Sequence, residues 1–283
     1  MENDDKIGLN DAYSLKTPED NIALYRNWAK TYDAEFAQAR GYLYPQRIAE
    51  IYKQHAKSHD TPVLDVGSGS GLVAFAVQEN NDADSPVVID GVDISPEMLA
   101  VSREKDLYRQ LFEVDLTQPI NLPENHYGAM ISAGTFTHGH VGPEALTKLL
   151  PLCRSGALFV IGINGTAFDE YHFGSHVAAL QADGHITPIE FVRVQYYASA
   201  EDDHAAATQQ RRELVGLPGT QRGGVAQRTH EVTPCAALIA AMEFSATIEV
   251  WEPPVMVLLL ADTRRAGNRA PQHLCDASWF VML

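Results

Sequence analysis

Between residues 62 and 164 short β-branched runs alternate with stretches whose apolar residues recur at helical spacing. PVLDV, PVVIDGVD and the run ending Phe112-Glu113-Val114 read as strands, with GLVAFAVQ and PEMLAVSREK as the helices between them. Two more strands are expected at Ala129 to Ala133 and Ala157 to Ile163, joined by the helix GPEALTKLLPL. Strands alternating with helices in this way predict a mostly parallel sheet covered on both faces, a doubly wound α/β fold.

Upstream, residues 1 to about 16 form a polar lead, and Thr17-Pro18-Glu19-Asp20 supplies an N-cap, a first-turn proline and early negative charge for a first helix. A second helix is expected from Pro45, with Ile48, Ile51, Tyr52 and His55 on one face. Downstream of Asn164, two stretches compete to complete the sheet. One is a helix over His172 to Ala182, closed by Asp183-Gly184 and followed by the alternating ITPIEFVRVQYYA. The other, closer to a closing hairpin, is a helix over Pro234 to Met242, then ATIEVWE and VMVLLLAD. The expected organisation is therefore 1–60 as lead and N-terminal helices, 61–164 as core, and 165–283 as the remainder, with a polar, arginine-rich insertion near 201–230. The final RRAGNRAPQHLCDASWFVML has no readable element.

Composition narrows the function classes. The 283 residues are 45% apolar and 20% charged, as in ordinary globular domains. With 21 Lys and Arg against 37 Asp and Glu, the net charge of −16 disfavours nucleic acid and acidic membranes as partners. A small-molecule partner is the expectation, and nothing in the pattern specifies an oligomer. Cys153, Cys235 and Cys275 are odd in number and far apart, so neither disulfides nor a thiolate metal site is expected. The polar MENDDKIGLNDAYS lacks the pattern of a secretory leader, and the apolar runs near 157–163 and 255–261 are too short to span a bilayer. A cytoplasmic location is the resulting expectation.

The sharpest chemical signal is VLDVGSGSGL, a strand end bearing Asp65 followed by Gly67, Ser68, Gly69 and Gly71 on the way into a helix. Glycines let the backbone turn tightly and approach a ligand, and the helix start offers free N–H groups. A dinucleotide fingerprint wants Gly-x-Gly-x-x-Gly, whereas here the third glycine comes one position early. Asp65, two residues before the first glycine, would crowd a pyrophosphate and suits a ligand with an ammonium. In GVDISPEML, Asp93 lies 93 − 65 = 28 residues beyond the first acid, where it can accept both hydroxyls of a ribose, with Ile94 and Met98 walling a base. The same segment is also a helix start, with Ser95 capping Pro96. FEVDL puts Asp115 and Leu116 at a third strand end, where the carboxylate can accept an adenine amino group.

On these motifs the chain resembles the class I S-adenosylmethionine-dependent methyltransferases over roughly Trp28 to Asn164. WAKTYD and AGTFTHGHVGPEAL are similar to the branch of the Williams–Beuren-region methyltransferase-like protein. The resemblance implies a seven-stranded Rossmann-like sheet, S-adenosyl-L-methionine as cofactor and N-terminal lid helices. It further implies that Asp65 and the glycines line the methionine moiety, that Asp93 holds ribose, and that Asp115 with Leu116 holds adenine. Tyr25, Trp28 and Tyr32 would form the lid, and Ser132 would border the cofactor. One departure is Tyr127-Gly128, where many relatives carry an acid.

Methyl transfer from a sulfonium chiefly needs alignment at about 3–3.5 Å and exclusion of water, with a base only where the acceptor loses a proton. Ser132 to His140 is expected beside the sulfonium, so His138 or His140 is the candidate base, set against a structural or capping role for either. Tyr171, His172 and His176 are further candidates to border the acceptor, and no metal is expected. Three other functions compete with methyl transfer: a non-catalytic cofactor-binding module, a nicotinamide-dependent oxidoreductase, and an aminopropyl transferase.

Overall fold

Thr17 opens the first helix by a reciprocal pair of bonds. Its Oγ1 accepts from Asp20 N at 3.1 Å, and Asp20 Oδ2 accepts from Thr17 N at 3.0 Å. The computed structural model describes residues 17–29, 31–38, 41–79, 86–137, 139–198 and 255–261. Helix α1 (Pro18–Trp28) is followed by a π-helix (Tyr32–Gln38) and by α2 (Tyr44–His55). In α2 the residues Ile48, Ile51 and Tyr52 are buried as their spacing predicts, while His55 is exposed at the helix end.

The core then alternates β1 (Val63–Val66), α3 (Leu72–Gln78), β2 (Ile89–Asp93), α4 (Pro96–Glu104) and β3 (Gln110–Glu113). It continues with β4 (Tyr127–Phe136), α5 (Glu144–Leu149), β5 (Cys153–Asn164), α6 (Gly165–Glu170), α7 (Phe173–Ala182), β6 (Glu190–Arg193) and β7 (Val255–Ala261). The strands lie in the order β3-β2-β1-β4-β5-β7-β6. Strands β3 to β5 in that order pair parallel, and β7 runs antiparallel to both β5 and β6. The mostly parallel α/β sheet expected from the alternation is therefore the architecture found.

All four residues of β1 are buried, as expected for a parallel strand covered on both faces. Val63 packs on one face with Tyr44, Ile48, Val73 and Val77, whereas Leu64 and Val66 pack on the other with Leu146, Leu149 and Phe173. Two apolar layers thus hold the sheet between them. The strand order reverses between β1 and β4, and in open α/β sheets the crevice at that point, beyond the carboxyl strand ends, is where ligands sit.

Three sequence expectations are corrected. The two C-terminal stretches are not alternatives, because each supplies a strand: β6 comes from ITPIEFVRVQYYA and β7 from VMVLLLAD, side by side at one edge. Strand β4 extends to Phe136, three residues beyond the expected end at Ala133. Strand β5 begins at Cys153, four residues before the expected start. The predicted helix over 234–242, ATIEVWE, the 201–230 insertion and the final stretch lie outside the described residues.

Away from the crevice, buried Asp90 on β2 accepts from Arg109 Nε and Nη2 at 2.9 and 2.5 Å and from Tyr127 Oη at 3.0 Å. Tyr127, the position that departs from the resembled pattern, thus joins β4 to β2 across β1. Among the described residues no helix is long and apolar enough to cross a membrane.

Candidate functional site

At the end of β1 the chain turns under tight constraint. Gly67 N and Ser68 N both donate to Val92 O, at 2.8 and 2.9 Å, fastening the turn to β2. From the other side Ser132 Oγ and Thr135 Oγ1 donate to Val66 O at 2.7 and 2.8 Å, fastening it to β4. Gly67 has φ +67°, and a Cβ there would overlap the Thr135 hydroxyl. Only glycine meets both requirements.

Asp93 stands beside this turn at the tip of β2. Its Oδ2 accepts from Gly69 N at 2.8 Å and its Oδ1 from Ser95 N at 2.8 Å. Burial pushes the Asp93 carboxyl above its ordinary range, against the pull of these backbone N–H groups. Ser95 Oγ also accepts from Met98 N at 3.2 Å, so the helix-start and ligand readings of this motif coexist. At the end of β3, Asp115 Oδ1 accepts from Thr117 N at 2.8 Å and from Thr117 Oγ1 at 2.6 Å.

Asp65 is fully buried behind the glycine turn, with Oδ2 accepting from Tyr108 Oη at 2.7 Å and Oδ1 without a hydrogen-bond partner. Desolvation pushes its carboxyl up to about 7, with repulsion from Asp93 adding to the rise and the Tyr108 bond opposing it.

Strand β4 is irregular where it reaches the crevice. Ser132 pairs with Ile161 and Phe136 with Ile163, so four residues of β4 span two of β5. Gly134, at φ +84°, lies inside this bulge. Bulges re-aim side chains, and here Ala133, Gly134 and Thr135 join the wall of a cavity.

That cavity lies along the carboxyl ends of β1 to β4. Gly67, Ser68 and Gly69 line it together with Asp93, Ile94, Met98, Asp115 and Leu116. Its other wall is aromatic. Tyr25 and Trp28 stack with ring centroids 6.1 Å apart, Trp28 meets Tyr32 edge-on at 5.0 Å, and Tyr25 meets His140 edge-on at 6.2 Å. Tyr42, Tyr196 and Tyr197 also line it, with Tyr42 and Tyr197 at 5.6 Å.

Two polar links hold the N-terminal segment to this edge of the sheet. Asp33, in the π-helix, accepts from Ser70 Oγ at 2.5 Å and is ion-paired with Lys105 just after α4. Arg26 on α1 pairs with Glu97 on α4 at 2.9 Å.

Of the residues singled out from sequence, Tyr25, Trp28, Tyr32, Gly67, Ser68, Gly69, Asp93, Ile94, Met98, Asp115, Leu116 and His140 meet on one cavity wall. Asp65, Gly71 and Ser132 are not on it: Asp65 is behind the turn, Gly71 caps α3, and the Ser132 hydroxyl is bonded to Val66 O. His138 lies outside the described residues. Tyr171, His172 and His176 do not line the cavity; Tyr171 Oη accepts from Gly139 N at 3.3 Å, and His176 Nε2 lies 2.9 Å from Thr147 Oγ1. Sequence reasoning missed Tyr42, Tyr196 and Tyr197, which sit near a bridge between residues 42 and 197 that no local pattern encodes. It also missed Asp33, although that residue immediately follows the Tyr32 of WAKTYD.

Residues 63–156, a third of the chain, match the family model described as a methyltransferase domain. A methyltransferase domain there makes S-adenosyl-L-methionine the cofactor. No curated protein matches the sequence. Among solved structures the chain is similar in fold to the [4+2]-cyclase SpnF, with TM-score 0.53 and 16% identity over 88% of this chain and 97% of that one. It is also similar in fold to Haemonchus contortus phospholethanolamine N-methyltransferase 2, solved with phosphomonomethylethanolamine and S-adenosylhomocysteine. That likeness has TM-score 0.51 and 14% identity over 88% of this chain and 59% of that one.

Proposed function

We propose that this chain is a class I S-adenosylmethionine-dependent methyltransferase acting on a small-molecule acceptor. The observation that carries the reading is one cavity onto which the glycine turn, Asp93 and Asp115 converge from three successive strand ends, facing an aromatic wall.

The residues present fit the cofactor. Asp93 lines the cavity, its Oδ2 accepting from Gly69 N and its Oδ1 from Ser95 N, with Ile94 N a further backbone partner. A carboxylate has about four acceptor sites, so capacity remains for a ribose. Asp115 engages Thr117 through Oδ1, and its Oδ2 is proposed to accept the adenine amino group. Ile94 and Met98 flank the base. Asp65, behind the turn, supplies a negative field for an ammonium when it is ionised. When bound, the cofactor contributes an electrophilic methyl group on a sulfonium.

Tyr25, Trp28 and Tyr32 are proposed as a lid, held down through Asp33 and Arg26, that excludes water from the reacting groups. The corresponding organisation is a lead and lid over 1–60, a cofactor-binding core over 61–164, and a C-terminal part over 165–283. His140 is the proposed base, within the loop after the β4 bulge.

Incubation with methyl-labelled cofactor and a panel of small molecules tests the proposal. Label transferred to a small molecule supports it. Cofactor binding with no transfer to any member would favour a non-catalytic binding module instead.

A further inference from the structure

Along the sheet, the cavity divides by chemistry. Its carboxylates, Asp93 and Asp115, belong to the β2 and β3 ends, and no lysine or arginine lines it among the described residues. At the β4 end stand Tyr42, whose Oη lies 3.5 Å from where a Cβ on Gly134 would sit, and Tyr25, which meets His140; Trp28, Tyr32, Tyr196 and Tyr197 line the same cavity. Tyr196 and Tyr197 follow β6, at the far edge of the sheet, and reach the cavity because Leu43 N donates to Tyr196 O at 2.6 Å and Ala198 N to Gly41 O at 2.9 Å.

A phosphate or carboxylate entering this space would find no lysine or arginine among the described lining residues, in a chain of net charge −16, and only the cofactor's single sulfonium to face it. Holding a desolvated anion without a side-chain counter-charge is costly, so the wall does not select for one. Flat rings instead offer stacking and edge-on contacts to another ring, at centroid spacings of about 4.5–7 Å. The tyrosines add hydroxyl groups without charge. Tyr42, pushed well up by burial and by the neighbouring Tyr32, Tyr197, Tyr196 and Tyr44, stays a neutral donor.

Resting on the methyltransferase reading above, we infer that the acceptor is an uncharged aromatic molecule bearing a hydroxyl group, whose oxygen is methylated. The hydroxyl oxygen forms a bond to the methyl carbon as the carbon–sulfur bond breaks and its electron pair stays on sulfur. The hydroxyl proton passes to the His140 imidazole and then to solvent. A phenolate and a sulfonium cancel their charges in this step, which an apolar aromatic enclosure favours over bulk water. A neutral amine gains nothing comparable, because its reaction leaves a cation in place of a cation.

The test uses the full chain saturated with S-adenosylhomocysteine and titrated calorimetrically with naphthol, naphthoate and naphthylmethylamine, followed by methyl-transfer assays with the same three. Naphthol is expected to bind and to yield its methyl ether, with naphthoate silent and the amine bound at least about tenfold more weakly. Tyr42→Ala should weaken naphthol binding at least about tenfold and leave S-adenosylhomocysteine binding within about twofold. Tyr42→Phe, which keeps the ring, should retain most of the naphthol binding and guards against a folding defect in the alanine variant. His140→Gln should keep naphthol binding but lower transfer near neutral pH by about a hundredfold, recovering at alkaline pH as naphthol ionises unaided. Tighter binding or faster methylation of naphthoate or the amine would overturn the inference while leaving the methyltransferase reading intact. Absence of S-adenosylhomocysteine binding would instead remove that reading itself.

Discussion

The hydroxyl of Ser70, in the glycine turn, donates to the carboxylate of Asp33 in the π-helix at 2.5 Å, and Lys105 completes the cluster from the far end of α4. One short side chain therefore ties the N-terminal segment to the loop proposed to carry the cofactor. π-Helical turns cost backbone geometry and are frequent at functional sites.

Asp33→Ala is expected to weaken S-adenosylhomocysteine binding by several-fold while shifting Tm little, because partly exposed ion pairs contribute at most about 1 kcal/mol. Calorimetry together with proteolysis of the 17–38 segment checks this: cleavage should speed up in the variant. Unchanged affinity and unchanged cleavage would mean that the link does not hold the lid.

Gly67→Ala tests the turn. Its positive φ and the overlap with Thr135 both oppose a methyl group. A cost of about 2 kcal/mol or more is expected, read as a Tm lower by several degrees, with loss of cofactor binding. Thr135→Ala in the same chain should restore part of the Tm, since it removes the overlap and leaves only the φ strain.

Asp65 makes the stability of the ligand-free protein depend on pH. Its carboxyl rises on folding from 3.8 to about 7, so the folded state holds a proton that the unfolded state releases. Stabilisation from this group is full below about 4 and is lost as pH climbs through about 7. At about 1.4 kcal/mol per pKa unit, at most about 4 kcal/mol is involved. Tm of the wild type should fall across that window, and Asp65→Asn should flatten the fall. A parallel decline in both proteins would assign the effect elsewhere.

Much of the core was legible because its signals are local. The β-branched runs of β1 and β2, the N-caps Thr17 and Ser95, and the acids at the ends of β2 and β3 each declare themselves within about ten residues of sequence. What was not legible depends on distant partners. Nothing near Asp65 announces Tyr108, whose bond turns an expected ligand into a buried carboxyl behind the wall. The bulge in β4 arises from pairing with β5, which single-strand patterning cannot register, so the expected strand stops at Ala133 and leaves out Gly134 to Phe136. Tyr196 and Tyr197 reach the cavity only through contact with residues 41–43, about 150 positions earlier in the chain.

The central claim is that Asp93 grips a ribose diol in the crevice beyond β1 and β2. Titrating the folded protein with S-adenosylhomocysteine, alongside Asp93→Ala verified as folded by circular dichroism, tests it most directly. The account predicts saturable heat for the wild type and a loss of roughly tenfold to a hundredfold in affinity for the variant, as hydrogen bonds to a charged group are worth about 1.5–3 kcal/mol. No heat with the wild type, or equal affinity in the two proteins, would contradict it.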